Sequence, residues 1–276
     1  MRRCLGTAAL LLLCTVLVTA SGCGTPGFAK RSKLILASTT SAEDSGVLNE
    51  FVKRFEKAYP YDVKAVAVGS GAALFMGRNG DADVMLTHEP KAEKEFMDTG
   101  SGESVDKVMH NDFIIVGPAS DPAGIKGMTD AAAAGRKIVE ARAPFVSRAD
   151  ASGTNAMEMS VWERAGVRPA ADRYTETGQG MAQTLRIADQ KKAYALTDRA
   201  TFIVLGDSVS LEKLVEGDRS LVNQYCVTVV NPARFGRINH AGAVAFRDFL
   251  LAEGTQNMIA GFGWDQYHER LFYPDH

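Results

Sequence analysis

The sequence predicts an α/β fold, and three observations carry that prediction. From Lys33 onward, short apolar runs alternate with amphipathic stretches. Several of the runs pass directly into small hydroxyl and glycine residues and then into apolar residues at helical spacing. The composition, 46% apolar over 276 residues, can bury a large core, as one big domain or two modest ones.

The N-terminal segment stands apart from that rhythm. Met1-Arg2-Arg3 is positively charged, and residues 8–18 are aliphatic apart from Cys14 and Thr15, which reads as a signal peptide. The run of about a dozen residues is short of the ~20 that span a bilayer as a helix, so no permanent transmembrane anchor is expected. Ala20-Ser21-Gly22-Cys23 resembles the lipobox of bacterial lipoproteins. On this reading residues 1–22 are removed, Cys23 is lipidated, and residues 23–32 are a lipidated N-terminus and tether. Cys4 and Cys14 leave with the signal, so Cys226 is the remaining thiol, placed in an apolar run and expected in the core.

Leu34-Ile35-Leu36-Ala37 has the character of a buried strand. Val47, Leu48, Phe51, Val52 and Phe55 then share one helix face, and Pro60 closes that helix. Residues 63–68 form the next strand, Gly69-Ser70-Gly71 opens a shorter helix, and residues 82–86 make a third strand. A strand over 111–118 has no compact αβ unit directly after it and reads as a crossover into a second domain. Pro144-Phe145-Val146-Ser147 restarts the rhythm, with Met157, Val161, Trp162 and Ala165 on the face of the following helix. Residues 225–230 read as the returning strand. Residues 241–262 read as an amphipathic helical tail that must pack on something already built, most simply the first domain.

Three loops share one design, in which a strand ends, hydroxyl and glycine residues follow, and a helix begins. They are Ser38-Thr39-Thr40-Ser41, Gly69-Ser70-Gly71, and Ser147-Arg148-Ala149-Asp150-Ala151-Ser152-Gly153-Thr154. A helix start exposes unpaired N–H groups and partial positive charge, hydroxyls add rotatable donors, and glycine permits close backbone approach. One such loop is ordinarily just a cap. Three, at strand ends where open α/β sheets bind ligands and with an arginine in one, point to an oxyanion site. Candidate ligands are Thr39, Thr40, Ser41, Ser70, Gly71, Arg148, Ser152, Gly153 and Thr154. Arg148 is the sharpest, because guanidinium is a permanent cation with a planar fork of donors. Its alternative is a salt bridge to Asp150, which is assigned to orienting Arg148 or capping the next helix.

Other chemistries find little support. With Arg2 and Arg3 removed, 29 basic residues face 33 acidic ones, a net charge of about −4, which argues against nucleic acid. His88 and His110 lack metal spacing and read as structural. Gly69-Ser70-Gly71 lacks the third glycine of a dinucleotide fingerprint, and no P-loop, H-E-x-x-H or G-x-S-x-G is present. Ser104-Val105-Asp106-Lys107 and Ser210-Leu211-Glu212-Lys213 match S-x-x-K without its companion elements, and read as chance. No metal site and no cofactor are expected.

The chain resembles the TupA-type tungstate-binding proteins of ABC transporters over nearly its whole mature length. The matching segments are Ser38-Thr39-Thr40-Ser41 with Asp44-Ser45-Gly46, Val68-Gly69-Ser70-Gly71-Ala72-Ala73-Leu74, Gly80-Asp81-Ala82-Asp83-Val84, residues 111–118, and Glu176-Thr177-Gly178-Gln179-Gly180-Met181. Pro144-Phe145-Val146-Ser147-Arg148 with Ser152-Gly153-Thr154 is similar to the family's F-V-S-R-G-D-D-S-G-T-H. Ala149 stands where glycine is usual there, Ala151 where an acid is usual, and Asn155 where histidine is usual. The resemblance implies a two-lobed periplasmic-binding-protein fold of the type II clamshell kind with two crossover strands. Lobe 1 would be residues 33–110 plus 225–276 and lobe 2 residues 111–224. It also implies a monomeric, non-enzymatic lipoprotein of the bacterial envelope, extracytoplasmic and membrane-anchored. The protein would capture tungstate, or molybdate as nearest competitor, and deliver it to an importer's permease.

Two alternatives stay open at this level. Phosphate or sulfate could be the ligand, with Asp150 accepting the proton that phosphate retains. A secreted serine hydrolase or phosphatase would need a general base within reach of Ser41 or Ser152, and no histidine is near either in sequence.

Overall fold

The computed structural model describes residues 31–276; the expectations for the signal peptide, Cys23 and nearly all of the tether lie outside the described residues. The chain runs β1 (Ser32–Thr39), α1 (Thr40–Asp44), α2 (Val47–Ala58), β2 (Tyr61–Val68), α3 (Ser70–Arg78), β3 (Val84–Thr87), α4 (Pro90–Asp98) and β4 (Gly102–Pro118). It continues with α5 (Ala131–Glu140), β5 (Phe145–Ser147), α6 (Gly153–Ala165), β6 (Tyr174–Glu176), α7 (Met181–Lys191), β7 (Ala195–Asp198), α8 (Arg199–Leu205) and β8 (Leu211–Val215). It ends with β9 (Val222–Val230), α9 (His240–Leu251), α10 (Glu253–Gly261), α11 (Trp264–Tyr267) and β10 (Tyr273–Pro274).

Strand β4 organises the molecule. Its first part lies in a sheet of order β10-β4-β9-β3-β1-β2, and its last residues pair instead with β7 and β8. One long strand therefore serves two sheets, and β9 accompanies it antiparallel, with Asn111 opposite Asn223. This is a two-lobed α/β fold with two crossover strands.

Each sheet has its own core. Leu34, Leu36, Phe51, Phe55, Val227, Phe246 and Phe272 form one buried cluster, and Phe113, Ile115, Phe145, Trp162 and Tyr194 form another. The tail packs on the first, because Phe246, Leu250 and Ile259 belong to that cluster. Phe55 anchors it, with ring centroids of Tyr59, Tyr61, Phe246 and Phe249 within 5.6 Å. Truncating such a fully buried ring to alanine costs about 3–5 kcal/mol.

Local sequence explains the boundaries that matter. Gly46 precedes α2 with φ +80, a conformation glycine adopts without strain, and Tyr59 is extended ahead of Pro60 as proline requires. Gly166 ends α6 in the left-handed region. Two expectations need correction. The strand read as 111–118 begins at Gly102, because the polar segment 102–109 is held by pairing with β9 and not by apolar patterning. The tail read as one segment is two helices, since Ala252 is extended and caps α10.

Candidate anion-binding site

The three loops converge. Thr39 ends β1 and Thr40 and Ser41 open α1, Ser70 and Gly71 open α3 after β2, and Arg148 to Ser152 link β5 to α6, whose first residues are Gly153 and Thr154. Arg148 Nη2 donates to Thr40 Oγ1 at 3.3 Å. A Cβ added to Gly71 would lie 3.3 Å from the Ala151 carbonyl oxygen, and one added to Gly69 would lie 3.6 Å from Ser152 Cα. Gly153 is tighter still: a Cβ there would sit 2.8 Å from ring atoms of His88. The approaches at Gly71 and Gly153 are tighter than a side chain there accommodates without a shift, whereas that at Gly69 is ordinary van der Waals contact.

The meeting place is sealed. Thr39, Ser41, Ser70, Arg148, Ser152 and Thr154 are at most 3% exposed, whereas Thr40 and Gly71 are half-buried. A hollow of about 750 Å³ beside α1, lined by Asp44, Glu50, Arg54 and Asp265 among others, shares none of the nine candidates. Its excess of carboxylates suits an anion poorly.

The donors are held from behind. Arg148 gives Nε and Nη2 to Asp150 Oδ2 at 3.1 and 2.6 Å. Asp150 Oδ1 accepts the Ser152 N–H at 3.2 Å, so Asp150 orients the arginine, and the cap of α6 is Ser152, whose Oγ accepts the Asn155 N–H. Thr154 Oγ1 is buried with no partner among the described residues, an uncommon state for a buried hydroxyl. Thr39 caps α1 through the Ala42 N–H.

Supporting residues give the family-like segments their purpose. The Thr177 and Gly178 N–H groups donate to the Ser147 and Arg148 carbonyls at 3.0 and 2.8 Å, clamping the arginine's backbone. Glu158, buried in α6, accepts from Ser147 Oγ, Trp162 Nε1 and the Tyr174 hydroxyl and so ties β5, α6 and β6 together. Burial raises its carboxyl above the usual range, against those three donors.

Ala149 and Ala151 both have positive φ, +49 and +55. At Ala149, where the family pattern carries glycine, an alanine in this region costs about 1–2 kcal/mol. Strain of this kind concentrates at functional sites.

Sequence reasoning missed two residues. His88, placed among structural histidines, lies with Nε2 3.3 Å from Ser41 Oγ. The available signal was its position: like the three loops, it follows the C-terminal end of a strand, β3. Asp198, fully buried at the end of β7, caps α8 with both oxygens on Thr201. Burial pushes it up to about 6, opposed by Thr201 and the Arg148 charge. His110 stays outside the site, bonded to Asp275 at 2.7 Å and stacked on Tyr273. Among the described residues no group of three His, Cys, Asp or Glu is placed to hold a metal ion.

The Ser41–His88 contact is the geometry a serine nucleophile requires, but the chemistry is weak. Burial, then the Arg148 charge, hold His88 down to about 4 from its ordinary 6.5, with Asn223 pulling the other way. A base that weak removes a hydroxyl proton poorly near neutrality. No carboxylate orients its Nδ1, which lacks a partner among the described residues.

Two lobes that close hydrogen-bond donors between them define a solute-binding protein of the periplasmic type, and a model of the PBP superfamily domain matches residues 24–253. The tungstate-binding protein TupA of Peptoclostridium acidaminophilum is 42% identical over 247 residues, which is 89% of this chain and 86% of that protein. TupA of Campylobacter jejuni is 39% identical over 227 residues, covering 80% and 84%. Among solved structures, the tungstate-binding TupA of Desulfovibrio alaskensis G20 aligns with a TM-score of 0.76 and 41% identity, covering 88% of this chain and 99% of that one. The tungstate ABC transporter structure from Geobacter sulfurreducens gives 0.77 and 38%, covering 83% and 98%. The chain belongs to the TupA family within the PBP superfamily.

Proposed function

We propose that this protein is an extracytoplasmic solute-binding lipoprotein that captures tungstate, with molybdate as nearest competitor, and delivers it to an ABC importer. Arg148, Thr154 and the hydroxyl and N–H groups of Thr39, Thr40, Ser41, Ser70, Gly71, Ser152 and Gly153 are its ligands. The observation that carries this reading is that the carboxylate within the three loops is already engaged by donors. Asp150 accepts from Arg148 and Ser152, and Asp198 accepts twice from Thr201. A fully ionised tetrahedral dianion needs only donors, whereas phosphate near neutrality gains from a free acceptor for its proton. The names and similarity of the TupA relatives support the choice of tungstate.

Lobe 1 is residues 33–110 plus 225–276 and lobe 2 is 111–224, with β4 and β9 as the hinge. The buried Asn223 Nδ2 to Asn111 Oδ1 bond, 2.7 Å, supports a hinge at that register, since a few terminal residues can absorb the rotation of rigid lobes. Cys23 carries the lipid, the protein acts as a monomer, and its partner at the membrane is the importer's permease. Among the described residues no helix is long and apolar enough to cross a membrane. Calorimetric titration with tungstate, molybdate, sulfate and phosphate ranks the ligands. Tungstate and molybdate bind, on the order of nanomolar given several charge-assisted bonds, and phosphate binds at least a hundredfold more weakly. Phosphate binding as tightly as tungstate overturns the assignment.

A further inference from the structure

His88 stands where the three loops meet. Its backbone N–H donates to Ser70 Oγ at 3.4 Å, its Nε2 lies 3.3 Å from Ser41 Oγ, and its ring rests against the Gly153 backbone, where a Cβ would be only 2.8 Å from Cε1 and Nδ1. The ring is stacked on Tyr225 with centroids 4.7 Å apart, and the Tyr225 hydroxyl in turn reaches Ser41 Oγ at 3.1 Å. One residue, 5% exposed, thus touches each loop, through its backbone at Ser70 and its ring at Ser41 and Gly153, and shares the Ser41 hydroxyl with its own stacking partner.

Ser41 has one hydrogen and two lone pairs to distribute. Its neighbours Thr39 Oγ1, Tyr225 and His88 Nε2 can each donate or accept. If Nε2 accepts, the Ser41 hydrogen is consumed and the hydroxyl turns lone pairs toward an oxyanion. If Nε2 carries the hydrogen, it donates to Ser41 Oγ, and with Tyr225 or Thr39 donating to the other lone pair the serine hydrogen is left for the ligand. The second arrangement leaves Nδ1 as a bare acceptor, and Nδ1 is the buried atom without a partner; an orphaned acceptor is better tolerated than an orphaned N–H. Burial keeps the ring neutral, so one nitrogen is free to remain bare.

We propose that His88 is a positioning residue that donates through Nε2 to Ser41 Oγ, turning the Ser41 hydroxyl into a donor for the bound oxyanion while its ring seats the Gly153 backbone. This rests on the oxyanion reading above and adds a specificity role: with the serine committed as donor, the loop offers nothing to a ligand that must itself donate.

The test compares His88→Phe, which keeps a slightly larger aromatic ring for the stack on Tyr225 and the seat for Gly153 but cannot donate, with His88→Gln, which retains an N–H. The Phe variant is expected to melt within a few degrees of wild type and to bind tungstate about tenfold or more weakly, the scale of one ordinary hydrogen bond. The Gln variant should recover most of that loss. Nitrogen NMR of the ligand-free wild type should show the Nε2-protonated tautomer with no titration between pH 6 and 8, a signature that packing alone would not dictate. A Phe variant within threefold of wild type, or an Nδ1-protonated ring, overturns the role of His88 alone. Wild-type protein that binds none of tungstate, molybdate, sulfate and phosphate overturns the oxyanion reading, and this role with it.

Discussion

Removing Arg148 is the most direct test of the site. In Arg148→Ala, three side-chain bonds vanish, two to Asp150 and one to Thr40, together with a full positive charge from a position 3% exposed. Charge-assisted bonds contribute about 1.5–3 kcal/mol net, and truncating one member of a buried charged contact costs roughly 2–5 kcal/mol. At about 1.4 kcal/mol per decade, tungstate affinity should fall about thirtyfold to several thousandfold. Arg148→Lys should fall between, because an ammonium keeps the charge but lacks a rigid fork to serve Asp150 and the ligand together. Stability must be separated from binding, since Asp150 loses its main partner in the alanine variant. Adding Asp150→Asn removes the stranded charge, so the double variant should regain thermal stability without regaining affinity. Calorimetric titration of variants shown to be folded by thermal melting reads both quantities. An Arg148→Ala protein that loses stability but binds tungstate within threefold of wild type refutes the reasoning, because the guanidinium would then serve only Asp150.

Two buried groups make opposite contributions to acid stability. His88 is held near 4 against an ordinary 6.5, so between those values the unfolded chain takes a proton the native state refuses, and stability rises with pH by about 3 kcal/mol. Asp198 is raised from 3.8 to about 6, so the native state keeps a proton the unfolded chain has lost, and stability falls by about 3 kcal/mol over roughly the same window. The two should largely cancel, and ligand-free Asp198→Asn should become more stable from pH 4.5 to 6.5 than wild type does over that span; denaturant midpoints showing parallel curves would remove the compensation. At Ala149, with φ +49, glycine relieves about 1 kcal/mol or more of backbone strain but gives back about 0.4–1 kcal/mol through the freer unfolded chain. Ala149→Gly should therefore melt at or slightly above wild type and Ala149→Val several degrees below it, and equal melting of Gly and Val would mean that the loop does not hold this conformation.

The amino-acid sequence by itself determined the α/β class, the strands around Leu36, Val84 and Val227, and the three hydroxyl- and glycine-rich loops. Those features are local: apolar periodicity and helix capping act over a few residues, so they are legible without knowing what packs on them. The resemblance of segments such as residues 144–154 added the two-lobed fold. What lay beyond was decided by contacts between residues far apart in the chain. The polar half of β4 is a strand only because β9 lies beside it, and Ala252 breaks the tail where local periodicity runs on. His88 looked inert because its partners, Ser41, Tyr225 and Gly153, are 47, 137 and 65 positions away. Its neutrality follows from desolvation and from the Arg148 charge across the cleft, and the raised pKa of Asp198 follows from desolvation, against that same charge. Burial and long-range electrostatics are properties of the folded neighbourhood, and a linear pattern does not encode them.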